Sequence, residues 1–191
     1  MPLSKPSKRK LLHTRNVKCT GYLRDDGLMD IEGHLIDTKS YDFPNHDRGG
    51  HIPTGEALHD ISARITLDES LTIKAAEACM DETPYHYCKE IAPVFSGIVG
   101  IQIGAGWMGK IREIIGGTKG CTHIYELLGP MATTAFQTRV SISGPDQLPV
   151  DGQPARKNAP VYINSCHSYA KDGPIIKLYW PEFYKKGDSE K

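Results

Sequence analysis

The sequence predicts an α+β fold in which an antiparallel sheet of two hairpins is covered on one face by about three helices. Apolar and polar side chains alternate through residues 17–38 and again through 61–80, and turn residues interrupt each run. Apolar residues then recur at helical spacing in three segments between residues 88 and 136. An antiparallel sheet with one apolar face needs such a cover.

The first hairpin turns at Asp25-Asp26-Gly27. On its second strand the apolar Met29 and Ile31 alternate with polar residues that include Glu32 and His34. The polar face has two interpretations, a solvated outer face of the sheet or an acid–base cluster that lines a cleft. The second hairpin turns at Asp68-Glu69-Ser70.

The flanking segments complete the predicted organisation. Residues 1–16 are rich in Lys, Arg and Pro and predict a basic arm, followed by a single domain over residues 17–191. Residues 140–174 predict a loop-rich C-terminal tail, and residues 175–184 form a strand-like aromatic run. These aromatics could anchor the tail or form a homodimer contact.

The connection at residues 39–60 has no hydrophobic period and is too long for a simple turn. Loops of this length are usually functional or disordered. This one combines aromatic residues, charges of both signs and a Gly pair, so we expect an ordered binding loop.

Composition excludes several classes of protein. The 191 residues contain 23 Lys plus Arg and 23 Asp plus Glu, so neither nucleic acid nor an anionic membrane is expected as a partner. No secretory signal or membrane span is predicted, and five cysteines without framework spacing suit a reducing cytoplasm. Phosphate loops and dinucleotide fingerprints are missing, which disfavours nucleotide-dependent chemistry.

Two kinds of chemical group remain. Cys88 and Cys121 stand at predicted helix starts, and with His123 and His59 they could form a tetrahedral metal site. The alternatives are reactive thiols or merely buried ones. No cofactor is expected unless this site takes zinc or iron. Histidines beside carboxylates, as in His59-Asp60, could serve proton transfer or could be ordinary surface residues.

Several short runs of the sequence resemble the domain of unknown function 2889 family. Their order and their spread over nearly the whole chain make the resemblance specific. The runs are Leu12-His13-Thr14-Arg15, Gly33-His34-Leu35-Ile36-Asp37-Thr38-Lys39, Tyr41-Asp42-Phe43-Pro44-Asn45, Arg48-Gly49-Gly50, Gly120-Cys121-Thr122-His123, Glu126-Leu127-Leu128-Gly129-Pro130 and Thr133-Thr134-Ala135-Phe136-Gln137.

The resemblance implies a bacterial family with little assigned chemistry. Some relatives are associated with the breakdown of lignin-derived aromatic dimers, in which a lyase releases a hydroxymethyl carbon as formaldehyde. We therefore expect a small phenolic substrate. The catalytic candidates are His59, Asp60, His34, Glu32 and Arg48, with either histidine as the base. The substrate-binding candidates are Lys39, Tyr41, Phe43 and Trp107.

A second resemblance concerns architecture. The order of hairpin, helices and Cys-His pairs over residues 57–137 is similar to the iron–sulfur scaffold fold of NifU and SufE type. It implies a rival function, a metal or cluster-binding protein that uses His59, Cys88, Cys121 and His123. A third expectation is a non-catalytic partner of a catabolic enzyme.

Overall fold

The computed structural model of the chain describes residues 3–142 and 163–185. The chain divides into two compact units, Met1–Ile142 and Ser143–Lys191, where the sequence predicts one domain after an arm. The predicted α+β class is confirmed, because the first unit contains a four-stranded antiparallel sheet, a two-stranded sheet and covering helices.

The main sheet contains four strands, β1 (His13–Leu23), β2 (Met29–Lys39), β5 (Ala57–Leu67) and β6 (Ile73–Glu82). Their order in the sheet is β1-β2-β5-β6, and every neighbouring pair is antiparallel. The two predicted hairpins therefore pair side by side, with Gly27 at a φ of 83° in the first turn.

The 39–60 connection contains a second, small sheet. Strands β3 (Phe43–Asn45) and β4 (Gly50–Ile52) pair antiparallel within it. The Asn45 side chain donates a hydrogen bond to the Pro84 carbonyl at 2.8 Å. These contacts order a segment in which the sequence shows no hydrophobic periodicity.

Three helical segments follow β6, as the apolar spacing predicts. The first, His86–Ile98, is a 3₁₀ helix that contains Pro93. The others are α1 (Trp107–Ile115) and α2 (Thr122–Ile142), and α2 continues through Gly129 and Pro130 without ending.

Two glycines of the sheet allow α2 to pack closely against it. A Cβ atom on Gly33 would lie 2.8 Å from Met131 Sδ, and one on Gly21 would lie 1.8 Å from Thr138 Oγ1. The helix contributes Ile124, Leu127, Leu128 and Met131 to the core beneath it. This contact places the first turn of α2 over the end of strand β2.

Two predictions about the ends of the chain are wrong, one about where a strand begins and one about the type of an element. Strand β1 begins at His13, so residues 13–16 belong to the sheet rather than to the arm, because they continue the pairing with the end of β2. In the second unit, the strand-like run forms helix α3 (Pro174–Tyr179) and a 3₁₀ turn at Pro181–Phe183. Pro174 lies in the first turn of α3, where its fixed φ favours a helix start.

The second unit is described at residues 163–185. Trp180 is fully buried and its ring lies 6.3 Å from that of Tyr169 and 5.8 Å from that of Tyr179. Most of the predicted loop-rich tail, residues 143–162, lies outside the described residues. Homodimer formation through these aromatics stays a prediction.

Within residues 3–142 and 163–185, none of the helices combines the length and hydropathy that a membrane crossing requires.

Candidate active site

A buried carboxylate occupies the end of the sheet where β1 begins and β2 ends. Asp37 is 1% exposed, although it lies on the face of β2 that is otherwise apolar. The register places Arg15 of β1 and His59 of β5 directly beside it on the two flanking strands. Helix α2 brings His123 from above. We call these four residues, with His13 and Glu126, the Asp37 centre.

Arg15 holds the carboxylate through two hydrogen bonds. Its Nε donates to Asp37 Oδ1 and its Nη2 to Oδ2, both at 2.8 Å, while Nη1 donates to Glu126 Oε2 at 2.6 Å. Burial by itself would raise the pKa of Asp37, but the hydrogen bond and charge of Arg15 outweigh burial and hold that pKa below its ordinary value. Asp37 is therefore an anion at neutral pH.

Three histidines surround the same carboxylate. His13 Nε2 lies 3.3 Å from Oδ1, His59 Nδ1 lies 3.1 Å from Oδ2, and His123 Nε2 lies 3.7 Å from Oδ2. The rings of His59 and His123 are 3.8 Å apart with a tilt of 36°. Two imidazole edges thus converge on one carboxylate oxygen.

The inner histidines are held in the neutral form. Burial, and then the neighbouring His123, lowers the pKa of His59 to about 4. Burial, and then the positive charge of Arg15, lowers the pKa of His123. Neutral imidazoles offer a lone pair, which is what a proton acceptor or a metal ligand needs.

The centre opens to solvent on one side. The side chains of His13 and Arg15 are 35% and 36% exposed, compared with 13% for His59. A small molecule can therefore reach His13 and Arg15 more easily than His59.

The β3–β4 hairpin borders the same end of the sheet. Lys39 pairs in register with His13, and its Nζ lies 5.7 Å from the ring centroid of Phe43. Tyr41 is exposed between them in the chain. Lys39 thus lies beside the Asp37 centre, and Phe43 lies beside Lys39.

Arg48 braces this hairpin rather than pointing into a cleft. Its Nη1 donates to the Ala57 carbonyl at 2.8 Å, and its Nη2 lies 3.1 Å from Glu82 Oε2. The guanidinium therefore ties the 39–60 segment to β5 and β6.

The remaining catalytic candidates lie on the opposite face of the sheet. His34 Nε2 is 2.6 Å from Asp60 Oδ1, and Glu32 is 3.3 Å from Arg64. Together with Lys18 and Tyr22, His34 and Glu32 line an open groove of about 500 Å³ across the four strands. His59 and Asp60 are neighbours in β5, so their side chains lie on opposite faces of the sheet. Asp60 therefore pairs with His34, whereas Asp37 pairs with His59.

The predicted cysteine ligands do not join the histidines. Among the described residues, the ligand atoms of Asp37, His59 and His123 form a group, and Cys88 and Cys121 are outside it. Cys121 Sγ lies 3.8 Å from His123 Nδ1, while Cys88 packs against the hydrophobic core. Trp107 is 8% exposed within that core, so its ring does not wall an open slot.

Sequence reasoning missed His13, Arg15, Asp37 and Glu126. Two signals were present. Asp37 is a charged residue at an inward position of an alternating strand, and buried charges are rare unless paired. All four residues also lie within the runs that carry the family resemblance. His13 and Arg15 nevertheless count as part of the predicted basic arm, because the residues before them are rich in Lys and Arg.

The fold and the site define an α+β protein with a buried carboxylate–histidine centre at one end of its sheet. A family model described as protein of unknown function, DUF2889, matches residues 13–137, and the chain belongs to this family. No curated protein and no solved structure matches the chain, so the likeness to NifU and SufE scaffolds stays a prediction.

Proposed function

We propose that this protein is a lyase that acts on phenolic, lignin-derived aromatic compounds and releases a hydroxymethyl carbon as formaldehyde. The observation that carries the proposal is the Asp37 centre, in which one buried carboxylate holds an arginine and three histidines at an open end of the sheet. The reaction class comes from the family resemblance, and the centre supplies the groups that this chemistry needs.

The reaction requires a proton acceptor and a cation. Loss of the phenol proton pushes charge through the ring and breaks the benzylic C–O bond, which gives a quinone methide and an aryloxide. The hydroxymethyl O–H then loses its proton, the C–C bond breaks, and formaldehyde leaves. The released electron pair forms a carbon–carbon double bond beside the ring and restores the aromatic phenolate, and this phenolate and the aryloxide each take up one proton. Electrons and protons balance, so no redox cofactor is required.

His13 is the proton acceptor in this proposal. It is the most exposed of the three histidines at the centre, and Asp37 Oδ1 orients its ring through Nε2 at 3.3 Å. A positioned histidine typically contributes about 10²- to 10⁴-fold to the rate of a proton transfer. His59, one of the two candidate bases named from the sequence, is an inner residue of the same centre.

Positive charge for the phenolate comes from Lys39, the register partner of His13, because Arg15 is already paired with two carboxylates. Fixed cations beside the developing anion stabilise it without reorganisation of solvent. In this proposal Tyr41 and Phe43 supply aromatic rings for contact with the substrate.

The proposed cellular setting is based on the thiols. All five cysteines are free, which suits the reducing cytoplasm that we propose as the site of action.

The test is an assay of formaldehyde release from a panel of phenolic dimers that carry a hydroxymethyl group, with and without a chelator. We expect release by the purified protein and a loss of about 100-fold or more in His13→Gln. His167→Gln is the matched control, because His167 is an exposed histidine of the second unit. Absence of release across the panel would contradict the proposal.

A further inference from the structure

Three potential ligand atoms of the Asp37 centre have the spacing of a metal site. One ligand atom from each of Asp37, His59 and His123 lies within 4.8 Å of the other two. Asp37 Oδ2 is 3.1 Å from His59 Nδ1 and 3.7 Å from His123 Nε2. Ligands at the bond lengths usual for zinc in a tetrahedral site are about 3.4 Å apart. The observed distances lie on either side of this value.

The charges of the centre also favour a cation. Asp37 and Glu126 are two carboxylates that share the single guanidinium of Arg15. A divalent cation would add a second positively charged group beside these two carboxylates.

Arg15 is compatible with a bound ion. Carboxylates that ligate metals are themselves commonly held by hydrogen bonds from surrounding groups, which fix their orientation. Arg15 Nε and Nη2 bond to the carboxylate in this way, so that Asp37 Oδ2 faces the two imidazoles.

We propose that Asp37, His59 and His123 bind one divalent first-row transition-metal ion. Two imidazoles and a carboxylate suit zinc and iron(II), and three protein ligands leave a coordination position for water or substrate. The ligand set differs from the cysteine-containing one expected from the sequence. His13 is outside it and contacts the other carboxylate oxygen of Asp37, Oδ1, at 3.3 Å.

The role of the ion rests on the proposed lyase function. The ion held by Asp37, His59 and His123 would act as a Lewis acid that lowers the pKa of a substrate hydroxyl, as metals do for bound water. When the O–H bond breaks, His13 would take the proton. The ion would thereby supply the cation that makes proton removal possible near neutral pH.

The experiment uses the full-length protein in two measurements without substrate. Elemental analysis of protein purified without chelator measures the metal content. Titration of the stripped protein with Co²⁺ follows the visible absorption bands, and calorimetry follows Zn²⁺. We expect one ion per protein molecule, and a loss of affinity of at least about 10- to 100-fold in His59→Gln and in His123→Gln.

Variants of nearby residues serve as controls, because they distinguish loss of a metal ligand from a change beside the site. Cys121→Ser and Cys88→Ser should keep the affinity, and so should His13→Gln. Circular dichroism of each variant shows that its fold is retained. Folded protein that binds neither Co²⁺ nor Zn²⁺ would overturn the inference. So would unchanged binding in His123→Gln, or lost binding in a folded cysteine variant.

The two proposals fail separately. Stoichiometric binding that depends on His59 and His123, with no formaldehyde from any substrate, supports the metal site and counts against the lyase. Formaldehyde release by protein that binds no ion overturns the metal site and leaves the lyase standing.

Discussion

Arg15 and Asp37 are cross-strand neighbours whose side chains meet through two parallel hydrogen bonds of 2.8 Å on the covered face of the sheet. Such two-point pairing of a guanidinium with a carboxylate fixes both groups in orientation as well as in position. The pair therefore links the edge strand β1 to β2 at the end where the candidate active site lies.

Removal of Arg15 should destabilise the protein. Arg15→Ala leaves the Asp37 carboxylate with only histidine partners, and hydrogen bonds to charged groups are worth about 1.5–3 kcal/mol. Because Arg15 is 36% exposed, we expect a loss near the lower end of that range, measured by urea denaturation. Arg24→Ala is the control, since the Arg24–Asp26 pair is solvent-exposed and should contribute little. An equal effect of both substitutions would contradict this account.

Asp68 should make the free energy of unfolding depend on pH in the acidic range. Hydrogen bonds from Ser70 and Thr72 lower its pKa to about 2. Since the folded value lies below the ordinary aspartate value of 3.8, the contribution is complete above pH 3.8 and is lost as the pH falls towards 2. The difference in unfolding free energy between wild type and Asp68→Asn should therefore shrink from pH 5 to pH 2, as measured by denaturation at each pH.

Glu69→Gln provides the comparison for this titration, because Glu69 occupies the same turn and is exposed. A wild-type advantage over Asp68→Asn that stays constant down to pH 2 would show that Asp68 does not act in this way.

Gly21 should not tolerate a larger residue. A Cβ atom there would lie 1.8 Å from Thr138 Oγ1, so Gly21→Ala forces β1 and α2 apart and should cost about 1–3 kcal/mol. Thr138→Ala removes the closest clashing atom, and the double variant should recover part of that loss. A double-mutant cycle in thermal or urea unfolding measures the coupling. Additive effects would mean that the two residues do not meet.

The two faces of the sheet should differ in activity. His13→Gln should abolish most formaldehyde release, whereas His34→Gln, which removes a His–Asp pair of 2.6 Å on the groove face, should have a much smaller effect. Initial rates on one phenolic dimer provide the comparison. The reverse order of effects would move the reaction to the groove.

Much of the fold could be predicted because it follows local periodicity. Alternation along β2 and helical spacing in α2 depend only on neighbouring residues. The strand-like run at 175–184 shows the limit of this approach, since β-branched and aromatic residues there serve a helix that begins at Pro174.

The candidate site was less accessible to sequence reasoning because its members come from four elements. His59 and Asp60 are adjacent in sequence and suggest a pair, yet the pleat sends them to opposite faces. The true partner of His59 is Asp37, which the strand register selects. No short-range pattern contains that information.

The position of His13 and Arg15 at the very beginning of β1 matters for anyone who shortens the protein. A truncation at residue 17, where the basic composition suggests that a dispensable extension ends, would leave strand β1 able to pair from Val17 onward. The shortened protein would keep its sheet and its core, but Asp37 would lose the arginine and the outer histidine that hold its carboxylate. Such a molecule could remain folded, although less stable, and still lack two of the six residues of its candidate active site.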